Sequence, residues 1–176
     1  MTNVNSMDML SRLFYLQSCS LPRYVVHASP YVAPGDEHVF ERLQAVAAAQ
    51  ERMAGRLAET ILSRHGRLPR AAFPMRFTSL HDLELRYLIT LVVQEQDAMV
   101  NEIEAAATAL NDDAELQRVA QELCRRERAH LTLLKELSSN RSVELASSSW
   151  RGVPHGTLHT RRQLQSEKTP SITTAA

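Results

Sequence analysis

The chain has 176 residues, enough for one domain with a core of its own. Its 20 basic and 20 acidic residues cancel, so no bulk charge attracts nucleic acid or an acidic membrane. Two cysteines, Cys19 and Cys124, exclude a disulfide framework and fit a reduced, cytoplasmic setting. No stretch approaches the roughly eighteen apolar residues of a membrane span, and the opening MTNVNSMDML lacks the pattern of a secretory leader.

Only five glycines occur, and residues 1–138 are rich in Ala, Leu, Glu, Gln and Arg, all good helix formers. The first predicted helix covers 6–28, with Leu10, Leu13, Phe14, Leu21, Tyr24, Val25 and Ala28 at three- and four-residue steps. Pro22 predicts a kink or break near Leu21. The connector 29-SPYVAPG-35 leads to a second helix over 36–65, opened by Asp36 and Glu37 and stopped by Gly66. Its stripe is Val39, Leu43, Val46, Gln50, Met53, Leu57 and Ile61.

The segment 67-RLPRAAFPMRFTSLH-81 has two prolines and no regular period. A third helix over 82–110 follows, with Leu88, Leu91, Val92, Met99, Ile103 and Ala106 on one face. After a turn at 111-NDD-113, a fourth helix runs to Leu137 with Leu116, Val119, Ala120, Leu123, Leu131, Leu134 and Leu137 inward. Residues 139–176 are rich in Ser, Thr and Arg without a lasting apolar period, which predicts a flexible tail beyond a 1–138 helical domain.

Linker length decides the topology. A helix of 28 residues is about 42 Å long. The 16 residues from Gly66 to His81 reach roughly 53 to 58 Å when extended. They suffice to cross the bundle's full length, making the second and third helices parallel; an up-down-up-down bundle needs no such loop.

Polar residues interrupt the stripes near mid-helix. Glu127 and His130, in 124-CRRERAHL-131, sit between Leu123 and Leu134 at the Glu-x-x-His spacing that places both on one face. Glu95 falls three after Val92 and four before Met99. Gln17 lies between Phe14 and Leu21, and Gln50 has Met53 three later. The chain thus reads as two hairpins, Gln17…Gln50-x-x-Met53 and Glu95…Glu127-x-x-His130, with separations of 33 and 32 residues. Two inward carboxylates and one imidazole are hard ligands that suit Fe or Mn. The same three groups also form a metal-free hydrogen-bonded cluster if glutamine amides complete it.

At these residues the chain resembles the ferritin-like superfamily, whose carboxylate-bridged di-metal bundles carry Glu on helices one and three and Glu-x-x-His on helices two and four. The resemblance implies an all-α four-helix bundle with a long crossover and a homo-oligomeric assembly. On that pattern Glu95, Glu127 and His130 are the matching ligands. Gln17 and Gln50 stand where Glu is expected, and Met53 where His is expected, as candidate shell residues, with Gln50 or water completing the coordination of a single ion. The count of carboxylates then supports one Fe or Mn ion, or none, rather than a pair.

Glu51 and Asp97 read as solvated residues beside the stripes. Tyr15, Tyr24 and Tyr87 read as packing groups, and His27, His38, His65 and His81 as helix-end residues. Cys124 reads as a small buried hydrophobe. The tail segment 156-GTLHTRR-162 resembles loosely the targeting peptides that load cargo into encapsulin shells, which makes a shell or partner protein a further expectation. Three functions follow: a ferritin-like binding or scaffold protein with a degenerate centre, a mononuclear Fe or Mn oxidoreductase, and a cargo protein docking through its tail.

Overall fold

A computed structural model describes residues 4–110 and 112–148, with side chains from 6 to 110 and 112 to 139. Among the described residues five helices form: α1 (Val4–Ser18), α2 (Leu21–Ala28), α3 (Glu37–Ser63), α4 (Leu85–Ala109) and α5 (Ala114–Ser148). A 3₁₀ turn (Met75–Leu80) lies in the crossover.

The predicted first helix is broken at Cys19–Ser20. Pro22 lacks an N–H and so belongs to the first turn of a new helix, where that donor has no partner anyway. Ser20 occupies the N-cap position, yet its hydroxyl makes no cap bond; it donates inward to Gln50 instead, at 2.6 Å.

Two apolar clusters show how the helices run. One joins Leu10 and Leu13 of α1, Leu57 and Ile61 of α3, Ile103 and Ala106 of α4, and Leu116 and Leu123 of α5. The other joins α2, Val39 and Leu43 of α3, Leu85 and Leu88 of α4, and Leu134 and Leu137 of α5. Helices α3 and α4 therefore both start at the second cluster and end at the first. They are parallel, as the linker length predicts, while α1 and α5 run the other way.

Ion pairs tie each end. Arg86 at the start of α4 is buried and bonds Asp36, which precedes α3, and the Leu137 carbonyl. At the opposite end Arg64, just past α3, bonds Asp113 at 2.6 Å and Glu115 at 2.7 Å beside the start of α5. Asp113 also caps α5 by accepting from the Leu116 N–H. The crossover is anchored by Tyr24, whose ring packs on Phe73 and Phe77 and whose hydroxyl lies 2.7 Å from His81.

Gly66 sits at a close approach. A Cβ there would stand 2.2 Å from Met7 Cε and 2.9 Å from Ile61 Cγ2. Helix α5 continues past the expected end at Leu137 to Ser148, because 138-SSNRSVELASS-148 contains neither Gly nor Pro to stop it. The remaining tail, including 156–162, lies outside the described residues. No helix among the described residues is long and apolar enough to cross a membrane.

Candidate functional site

Between the two apolar clusters lies one polar layer, to which each long helix contributes one residue: Gln17, Gln50, Gln96 and Glu127. The three glutamines are fully buried and Glu127 is 1% exposed. Three residues further along the chain stand Ser20, in the break after α1, and Met53, Met99 and His130 on the same helices. The quarters repeat as Gln17-x-x-Ser20, Gln50-x-x-Met53, Gln96-x-x-Met99 and Glu127-x-x-His130. Within the two hairpins the separations are 33 and 31 residues, from 50 − 17 and 127 − 96.

The hydrogen bonds converge on a single oxygen. Gln96 Nε2 donates to Glu127 Oε2 at 2.6 Å and Gln50 Nε2 donates to the same atom at 3.0 Å. His130 Nδ1 lies 3.2 Å from it. Gln50 Nε2 also reaches Gln96 Oε1 at 3.2 Å, and Ser20 closes the chain on Gln50 Oε1. Gln17 Nε2 points at Met99 Sδ, 3.5 Å away, and its buried Oε1 has no hydrogen-bond partner among the described residues.

Electrostatics follow from this geometry. Burial by itself pushes the Glu127 carboxyl up. The His130 bond and charge, with the Gln50 and Gln96 amides, outweigh burial and hold the group below the ordinary carboxylate range. A carboxylate taken from water into a dry layer is thus compensated by donors on three helices.

Glu95 does not join this layer. Its side chain is 39% exposed and pairs with Arg76 of the crossover at 2.7 Å. The inward residue of α4 is its neighbour Gln96, four after Val92 and three before Met99. The expected cluster of Glu95, Glu127 and His130 is therefore corrected to Gln96, Glu127 and His130, with Gln17, Gln50 and Ser20 in the same network. Leu91, read as inward, is only half-buried, and the buried stripe passes through Ile89 and Val92 instead.

Met53 is buried, as is Cys124, whose thiol lies 3.7 Å from Glu104. Glu51 and Asp97 are exposed and pair with Arg23 and Lys135. Tyr87 faces solvent, whereas Tyr24 is packed.

The donor set does not fit a pair of divalent ions. One carboxylate cannot balance two such charges, and the lone pairs of Glu127 Oε2 are directed at two amide N–H groups. Amide nitrogens are not ligands for Fe(II) or Mn(II), and a thioether is a poor one. Among the described residues no three His, Cys, Asp or Glu side chains are grouped to hold a metal.

A polar mid-layer in a crossover-connected bundle defines the ferritin-like fold, and this chain has that fold. No protein-family profile matches the chain, and neither does any curated protein. Among solved structures it is similar to the bacterioferritin of Desulfovibrio desulfuricans, described with its diiron site in different catalytic states. The TM-score is 0.66 at 13% identity, over 93% of this chain and 99% of the other.

Proposed function

We propose that this chain is a ferritin-like protein whose metal centre has degenerated, and that it serves a non-catalytic binding or scaffold role. The observation that carries this reading is the enclosure of Glu127. Its carboxylate oxygen, the one acidic ligand left at mid-height, is occupied by Gln50, Gln96 and His130. The amides do the work that cations do in a carboxylate-rich centre: they stabilise the buried negative charge. Self-association, implied by the resemblance, belongs to the same reading and is checked by the molar mass in solution.

The test is the metal content of untagged protein grown with added Fe and Mn. Well below one equivalent of either is expected, with no change in melting temperature on adding EDTA. One equivalent of metal in the parent, lost in Glu127→Ala, overturns the proposal in favour of a mononuclear centre.

A further inference from the structure

A cleft of about 280 Å³ opens between the end of α1, the crossover turn and α4. Its inner wall includes Ser20, Gln96 and Met99, so it backs onto the polar layer; Leu16, Leu21 and Phe77 make its apolar sides. It lies just below the usual range of ligand pockets, about 300–1,000 Å³, which restricts it to small molecules.

Two ion pairs flank the mouth. Arg12 of α1 pairs with Glu102 of α4, and Arg76 of the crossover pairs with Glu95. Each arginine also lies over an aromatic ring, Arg12 over Tyr15 at 5.5 Å and Arg76 over Phe77 at 5.0 Å. Two cations face two anions, so the mouth offers both signs of charge side by side, which matches a zwitterion. Neither pair is saturated. Among the described residues Arg12 donates to Glu102 only through Nε, leaving the terminal nitrogens of its fork, and Glu102 accepts only at Oε1. Arg12 is 50% and Glu102 38% exposed, so the spare donors and acceptor are within a ligand's reach.

We propose that this cleft binds a free α-amino acid with an apolar side chain, and so names the ligand of the binding role proposed above. The carboxylate of the ligand accepts from the terminal nitrogens of Arg12. The ammonium donates to the second oxygen of Glu102. The side chain lies along Leu16, Leu21 and Phe77. The Arg12–Glu102 pair takes the head group because both residues stand on regular helices, which hold a site more precisely than a connecting segment does. The other pair stands seven residues back along α4, about 10.5 Å of helical rise away.

Titration calorimetry on the full chain tests this, with L-leucine and L-phenylalanine as probes against isoamylamine and isocaproate. Saturable binding of an amino acid is expected, with amine and acid at least ten-fold weaker. Arg12→Gln and Glu102→Gln should each weaken it at least ten-fold. Ala98→Phe, which fills the cleft from the exposed side of α4, should abolish it while the helical circular dichroism stays unchanged. Binding of none of the common amino acids overturns the inference, as does equal binding of isocaproate or isoamylamine. Metal content of the same preparation reports separately on the proposed function. A metal-free chain that ignores amino acids defeats this inference alone; a metal-bearing chain that binds them defeats only the degenerate-centre reading.

Discussion

Replacing Glu127 by alanine removes the acceptor on which three donors converge. Leaving a buried polar group unpaired costs about 1–3 kcal/mol, which sets a gross loss of about 3–9 kcal/mol for three groups. Relaxation reduces it. Gln50 Nε2 keeps its bond to Gln96, Gln96 Nε2 keeps a 3.3 Å contact with the Glu127 carbonyl, and His130 is 21% exposed and turns to water. A net loss of about 3 kcal/mol is expected, near the lower end for breaking a buried charged pair. For a chain of this size that is a fall of roughly 6–12 °C in melting temperature. Urea unfolding followed by circular dichroism measures it. Replacing the network as a whole should behave differently. Ser20→Ala, Gln50→Leu, Gln96→Leu and Glu127→Leu together remove donors and acceptors at once, and stability should return to within about 1 kcal/mol of the parent. If Glu127→Ala costs less than about 1 kcal/mol, or the fourfold variant is no more stable than the single one, the carboxylate is not the hub described.

The Glu127 carboxyl is more acidic folded than unfolded, so its contribution is complete above the ordinary carboxylate range, near 4.3, and is lost as pH falls through the lower folded value. The urea midpoint should fall below about pH 5, and Glu127→Gln should flatten that limb while lowering the plateau; an equally steep limb in the variant contradicts the assignment. Just past the end of α3, Gly66→Ala drives a methyl into Met7 Cε and Ile61 Cγ2. A loss of about 1–2 kcal/mol is expected from such overpacking. Adding Met7→Ala should cost less in the Gly66→Ala background than in the parent, a coupling read from a double-mutant cycle.

The bundle was legible because its signals are long-range in period and coarse in position. Stripes of leucine and valine at three- and four-residue steps mark helices whatever their ends do, and 16 linker residues set the crossover by length alone. The site was legible only in part. Three- and four-residue steps from Val92 reach Glu95 and Gln96 alike, so periodicity does not separate them. Carboxylate chemistry then favoured the wrong neighbour. In the structure Glu95 has a partner outside, Arg76, 19 residues away in the crossover, which no helical period reveals. Gln96 was within reach of the same stripe argument, since it is spaced correctly from both Val92 and Met99. Ser20 was hidden because its inward hydroxyl depends on the helix break, which Pro22 signalled only to within a few residues.

The four quarters of the mid-layer have consequences for how the fold tolerates change. Gln and Glu are nearly the same shape, so turning Gln17, Gln50 and Gln96 into glutamates would alter almost nothing sterically and everything electrically. Four acids crowded into a dry slab repel one another and hold protons or recruit cations. The amide version has no such debt to its surroundings, and its chain can close before any ion arrives.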